Sequence, residues 1–205
     1  PHDPRFLQEA VEAILQSLQA SRGNAFVLFT SYSMLKSCYA QLAPRLTNQR
    51  FHPLKQGALN RQALIETFKA TDRSVLFGTD SFWEGVDVVG ESLRCVIIVK
   101  LPFRVPSEPI FQARSQAIEA KGGDPFMEYA LPGAIVKFKQ GFGRLIRTRA
   151  DVGAVVLLDK RVVTKRYGPL VLSGLPRADR VIGRWADVRT RIEDFFARHG
   201  IGASV

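Results

Sequence analysis

The chain has 205 residues, 46% of them hydrophobic, and 29 Lys and Arg against 19 Asp and Glu give a formal charge of +10. That is apolar material enough for one sizeable α/β domain, and the charge points to a polyanionic partner: nucleic acid, a nucleotide or an anionic membrane surface. No apolar run is long enough for a transmembrane helix, and Cys38 and Cys95 alone cannot furnish a four-ligand zinc or iron–sulfur site; buried free thiols in a reducing compartment are the expectation.

Pro1-His2-Asp3-Pro4 is not a signal peptide, and without an initiator Met the chain reads as a piece of a longer protein. Asp3-Pro4 offers an N-cap and a first-turn proline to a helix whose apolar face is Leu7, Val11, Ile14, Leu15 and Leu18, ended by Gly23-Asn24. Ala25 to Thr30 is a continuous apolar run, the mark of a buried parallel strand. Ser31 or Ser33 caps the next helix, with apolar positions Leu35, Tyr39, Leu42 and Leu46. Arg50 to Leu54 is a weaker strand, Asn60 starts a helix through Leu64, Ile65 and Phe68, and Ser74–Gly78 and Leu93–Lys100 are further strands.

Past the stiff connector Leu101-Pro102-Phe103-Arg104-Val105-Pro106, Ser107-Glu108-Pro109 opens a helix that runs to Gly122-Gly123. Asp124-Pro125 begins another, and Pro132 leads into the helix of Gln140. Gly153 to Asp159 is a fifth strand, Leu170 to Leu172 a sixth, and the last helix carries Val181, Ile182, Trp185, Val188, Ile192, Phe195 and Phe196. Strand–helix alternation predicts a mainly parallel sheet with helices on both faces, a three-layer α/β sandwich forming one domain over residues 1–205.

Three stretches carry chemistry. In Gln140-Gly141-Phe142-Gly143-Arg144-Leu145-Ile146-Arg147, helical spacing puts Gln140, Gly143, Arg144 and Arg147 on one stripe, opposite Ile135, Phe138, Phe142 and Leu145. Two guanidinium forks one turn apart repel unless an anion lies before them, and a phosphate accepts bidentately from each; a solvated basic face is the plainer alternative. The loop after the third strand, Gly78-Thr79-Asp80-Ser81-Phe82-Trp83-Glu84-Gly85-Val86-Asp87, sits where parallel sheets bind ligands. Thr79 and Ser81 can meet phosphate oxygens, and Glu84 and Asp87 can orient the Arg pair, although Asp80 or Ser81 with Glu84 also makes a capping box. Thr30-Ser31-Tyr32-Ser33 places hydroxyls and a ring at a helix start, for anion binding or for capping alone. A G-x-x-x-x-G-K-[ST] phosphate cradle is missing, and no Asp-Glu pair follows an apolar strand to hold magnesium, so free-standing hydrolase chemistry is not expected.

Phe82-Trp83-Glu84-Gly85-Val86-Asp87 resembles motif V of the DinG/XPD-like branch of superfamily 2 helicases. Gln140-x-x-Gly143-Arg144-x-Ile146-Arg147 resembles its motif VI, and Phe29-Thr30-Ser31-Tyr32 its motif IV; Leu101-Pro102-Phe103 is similar to the sequence between them. The resemblance covers nearly the whole chain and implies a RecA-like second motor domain of an ATP-dependent DNA helicase. It implies that Arg144 and Arg147 reach ATP phosphates as arginine fingers, with Gln140 organising that interface. Gly85, Asp87, Glu84 and Gly143 would line the nucleotide cleft, and Ser31, Tyr32 and Thr79 would lie toward single-stranded DNA. ATP and Mg2+ would be shared with a first RecA-like domain of the same polypeptide, absent here; any iron–sulfur cluster would belong to that first domain, with none in this chain. The fragment alone is expected to be inactive, with no membrane partner and a cytoplasmic, nucleoid-associated location in a bacterium. The alternative is a non-catalytic nucleic-acid-binding module with a degenerate motor fold.

Overall fold

The structure, a computed structural model, describes residues 5–79, 82, 93–143, 145, 152–176 and 178–201. Its first helix, α1 (Phe6–Ser21), buries Val11, Ile14, Leu15 and Leu18. Asp3-Pro4 lies outside the described residues. Arg22 takes the left-handed conformation that closes α1, and Gly23 follows at φ 80°. A Cβ on Gly23 would stand 2.7 Å from the backbone of Arg73, so glycine is required there both for its dihedral and for the close approach.

Five strands form one sheet: β1 (Ala25–Leu28), β2 (His52–Lys55), β3 (Ser74–Gly78), β4 (Cys95–Ile98) and β5 (Ala154–Leu157). Their order is β2-β3-β1-β4-β5 and every pairing is parallel. The strand expected over Ser74–Gly78 has those bounds; β1, β4 and β5 lie within their expected spans, shorter by a few terminal residues, and β2 is shifted, starting two residues later and ending one residue later than expected. All strands end at one edge; from β1 the chain moves toward β2 and from its neighbour β4 toward β5, so the carboxyl ends of this pair lie where α/β sheets place ligands.

Alternation along the strands divides the core in two. Val27, Phe29, Val75, Phe77, Cys95, Ile97 and Val156 face α1, α2 (Tyr32–Asn48) and the last helix, α8 (Trp185–Arg198). Phe26, Leu28, Leu76, Val96 and Ile98 face the opposite way. There they meet Leu64 and Phe68 of α3 (Arg61–Ala70), Leu131 and Phe138 of α5 (Leu131–Phe142), and Val171 of α7 (Gly168–Ser173). Strands buried on both faces explain the unbroken apolar runs, and the expected three-layer sandwich is present. The Trp185 indole donates to Gln16 Oε1 at 2.6 Å, tying α8 to α1. Cys38 and Cys95 are free and buried, and burial pushes both thiols up to about 12, where they are not nucleophiles.

Three expectations need correction. Leu170–Leu172 is not a strand: the segment lies in α7, which follows the short α6 (Arg161–Thr164). Pro169 stands in its first turn, where a missing N–H costs nothing, and β5 already closes the described sheet on that side. Val181 and Ile182 are 44% and 61% exposed and precede α8, which starts at Trp185 with Arg184 as N-cap. The helix of Gln140 stops at Phe142 with Gly143 as its C-cap, and the next described residue, Leu145, lies in a turn. The expected stripe therefore loses its helix at Gly143, and its further members Arg144 and Arg147 lie outside the described residues. Of its apolar counterpart, Phe138 and Leu145 are buried at 1% and 5% exposure, whereas Ile135 and Phe142 are only half-buried.

Between β4 and α5 the chain leaves the sheet. The helix α4 (Pro109–Glu119), shorter than expected, has no buried residue. The segment begun by Asp124-Pro125 is one π-helical turn, Phe126–Ala130, running straight into α5. Asp124 Oδ1 accepts from the Phe126 N–H at 2.8 Å, which supplies its start.

Candidate functional site

The edge where the strands end carries a hydrogen-bonded cluster. Ser31 caps α2: its Oγ accepts from the Met34 N–H at 3.4 Å and lies 3.4 Å from Ser33 Oγ. Tyr32, 41% exposed, donates its hydroxyl to the Gln56 carbonyl at 3.2 Å, and the Lys36 ammonium lies 5.0 Å from its ring centre. Thr79 donates twice to Gln56 Oε1, through its N–H at 2.6 Å and its hydroxyl at 2.9 Å. Gln56 is thus the hub joining the ends of β1, β2 and β3. Sequence reasoning missed it, because Thr79 and Tyr32 lie 23 and 24 residues away along the chain. An N–H can only donate, so Oε1 faces Thr79 and the Gln56 amide keeps two N–H donors of its own. Both Thr79 donors are engaged in this state, which leaves its hydroxyl oxygen as an acceptor.

Gln56→Ala takes the acceptor from two half-buried donors at once, and a loss of about 1–3 kcal/mol is expected. Gln56→Glu keeps an acceptor at that place and should cost less. Urea unfolding of both variants checks the order; equal losses would mean that the hub contributes only packing.

At the end of β3 a Cβ on Gly78 would stand 2.8 Å from Cβ of Phe82, whose ring is buried at 2% exposure. The aromatic of the expected motif V is therefore an anchor that seats the start of the loop against the strand. Glu84, Gly85 and Asp87 lie outside the described residues, as do Asp80 and Ser81.

The second group lies at the other edge. Gln140 is half-buried in the last turn of α5, and Gly143 is exposed at its C-cap. The turn that follows places Leu145 against Gly153, where a Cβ would meet the Leu145 side chain at 2.6 Å and the Arg94 carbonyl at 2.7 Å. Arg94 and Gly153 immediately precede β4 and β5, so this turn sits where strands begin. The structure does not bring Gln140 and Gly143 together with Ser31, Tyr32 and Thr79; the sheet separates them. Arg144 and Arg147 lie outside the described residues.

A third set, unassigned from the sequence, fixes the connector. Asp159 follows β5, is 2% exposed, and accepts from the Leu101 N–H at 2.9 Å and from the Arg161 N–H at 3.0 Å. The Arg161 guanidinium forks onto the same carboxylate and lies 5.1 Å from the centre of the Phe103 ring. Phe103 in turn packs on Phe126 and Tyr167 at 5.7 and 5.8 Å between ring centres. Burial pushes the Asp159 carboxyl up, but the Arg161 side-chain bond and the Leu101 and Arg161 backbone bonds together outweigh it and hold it below the ordinary carboxylate range. The signal was present in Asp159-Lys160-Arg161, where one carboxylate ends an apolar strand beside an Arg.

The sequence profile of the helicase C-terminal domain matches residues 14–178. The chain belongs to that family. This helicase C-terminal domain is 42% identical over 169 residues to the ATP-dependent DNA helicase YoaA of Haemophilus influenzae, covering 82% of the chain and 26% of that protein. It is 38% identical over 175 residues to the 3'-5' exonuclease DinG of Bacillus subtilis, covering 84% of the chain and 19% of that protein. The chain thus spans about a quarter or less of these relatives. Among solved structures, an XPD helicase superposes with a TM-score of 0.66 at 20% identity, over 85% of this chain and 31% of that one. The C-terminal domain of the DEAD-box protein Dbp5 gives 0.52 at 14% identity, over 94% and 92%. At these identities the likeness is one of fold, and the fold is RecA-like. No helix among the described residues is long and apolar enough to cross a membrane.

Proposed function

We propose that this chain is the second motor domain of an ATP-dependent DNA helicase. Membership in the helicase C-terminal domain family carries the reading. In it, Arg144 and Arg147, which follow α5 in the sequence, meet the phosphates of an ATP held by a first RecA-like domain, and Gln140 orients that interface. A guanidinium fork matches phosphate oxygens bidentately and stabilises the charge that develops as the terminal phosphoryl group departs. Gly143, bare of a side chain, lets the facing surface come close. Glu84, Gly85 and Asp87 complete the nucleotide side. Ser31, Tyr32 and Thr79 meet single-stranded DNA: Tyr32 offers an exposed ring for a base, and Lys36 beside it a charge for a phosphate.

Mg2+ neutralises triphosphate charge when bound. The described residues hold no group of three His, Cys, Asp or Glu that could ligate it, so the reading assigns the ion to the partner domain, in the cytoplasm where this motor would work. ATP binding closes the cleft and hydrolysis opens it. The motor reading predicts that the 205-residue chain alone hydrolyses no ATP above background, because it supplies only part of the positioning and charge. Turnover by the purified chain that is abolished by a substitution within it would overturn the reading. A non-catalytic binding module would bind DNA equally well, and it is separated from the motor by the Arg144 experiment described in the Discussion.

A further inference from the structure

Between Lys160 and Arg184 the chain carries seven Lys and Arg against one carboxylate, Asp179. Three of these cations, Lys165, Arg166 and Arg180, line a groove of about 610 Å³ between α6, α7 and the segment leading to α8. Among the described residues no carboxylate lines it. Its walls are otherwise apolar, and two of them are unusually open for their chemistry: Val163 is 53% and Ile182 61% exposed. Thr164 and Ser173 add hydroxyls. We propose that this groove is a second binding site for single-stranded nucleic acid, apart from the Tyr32–Gln56–Thr79 cluster; its charge and exposed apolar walls carry it, and only the argument from position rests on the role proposed for that cluster.

Two of the groove's three walls, α6 and α7, are fixed in place. Its first residues are held by Asp159, which takes the backbone N–H and side chain of Arg161 and so fixes the start of α6 to the end of β5. Its floor is tight: a Cβ on Gly168 would collide with the Val162 carbonyl, so α6 and α7 are in close contact. Little ordering remains to oppose binding.

The chemistry selects the partner. Three cations with no compensating acid suit a phosphate backbone, which brings regularly spaced charge. Exposed Val163 and Ile182 in the same groove suit the sugar and base faces that a single strand offers and a duplex hides in its stack. Position agrees with this. The groove starts from the end of β5, and Tyr32 and Thr79 stand at the ends of β1 and β3 on the same sheet edge. Strands are spaced about 4.8 Å, so β1 and β5, two strands apart, are separated by roughly 10 Å, which one strand of nucleic acid can bridge.

The test compares two charge-matched variants of the 205-residue chain, with fluorescent oligo-dT as probe and anisotropy read across a salt series. One is Lys165→Gln/Arg166→Gln/Arg180→Gln. The other removes three exposed cations elsewhere: Lys69→Gln/Lys121→Gln/Arg191→Gln. Each phosphate contact on a single strand contributes about 0.7 to the slope of log K against log salt. The groove variant should therefore lose about 2 in slope and roughly tenfold or more in low-salt affinity, with the control close to wild type. Equal losses in the two variants would reduce the effect to overall charge and overturn the site; so would an unchanged slope, or no oligo-dT binding by the wild type. Displacement of oligo-dT by polyglutamate at equal charge concentration would assign the groove to an acidic protein instead. If the triple variant melts early, Arg180→Gln alone, in an irregular exposed segment, should lower the slope by about 0.7, and no drop there overturns the site as well. Tyr32→Ala in parallel reports on the other cluster independently.

Discussion

Arg144→Ala in the longer protein is expected to lower DNA-stimulated ATP turnover by about 10³-fold or more, the worth of an arginine finger in phosphoryl transfer. The loss belongs in kcat, because the guanidinium is proposed to meet phosphate in the closed, reacting state and not when substrate first binds. Lys at the same position should rescue poorly, since an ammonium lacks the planar fork. DNA binding without nucleotide should stay near wild type. Phe138→Ala is the contrasting substitution: at 1% exposure beneath α5 it should cost about 3–5 kcal/mol of stability. Near-normal turnover by Arg144→Ala, or unfolding of the kind Phe138→Ala produces, would return the motif VI segment to a structural role and favour the binding-module reading.

The second large effect is at Asp159. Asp159→Ala strips the acceptor from the Leu101 N–H and leaves Arg161, 23% exposed, without its counter-ion. Breaking a pair this buried costs about 3–5 kcal/mol. Asp159→Asn keeps an acceptor but not the charge, and should lose less. The pH dependence has a definite sign. The folded carboxyl titrates below its unfolded value of about 3.9, so its contribution is fully present above that pH and is lost as pH falls through the folded pKa. The stability gap between wild type and Asp159→Asn should hold constant near neutrality and narrow below about pH 4. A gap that widens on acidification would contradict the ion-pair account. Thermal melts between pH 3 and pH 7 provide the measurement.

The sandwich was legible because both faces of the sheet are covered. Phe26-Val27-Leu28-Phe29 and Val96-Ile97-Ile98-Val99 have no polar side to lose, and such runs admit few alternatives. Leu170–Leu172 misled for the same reason: a short apolar run has no periodicity to separate strand from helix, and Pro169 in the first turn was the signal to weigh. Val181 and Ile182 fit a helical period, but Gly183 stands between them and Trp185, and the helix waits for an Arg184 cap. The stripe through residue 147 assumed that a helix passes Gly143; it stops there, as helices often do at glycine. For the candidate site, the motifs were visible but not their placement. Gln56 is joined to Thr79 and Tyr32 only by the folded sheet, and nothing in local sequence marks a glutamine as the acceptor of a threonine's two donors.

The separation of the two candidate surfaces by a sheet has a mechanical consequence. Four to five residues of strand lie between the turn at Leu145 and the hub at Gln56, about 15 Å of close-packed backbone with low compressibility. Such a slab works as a lever arm. Pivoted at the edge that would grip a nucleotide, a swing of about 15°, the size of known subunit rotations, carries the far edge through about 4 Å. On the proposed motor reading, a chemical event sensed at one rim would become a stroke at the other with no side chain passing the message along, and the stiffness of the Val- and Ile-rich strands would set how little of that stroke is lost to bending.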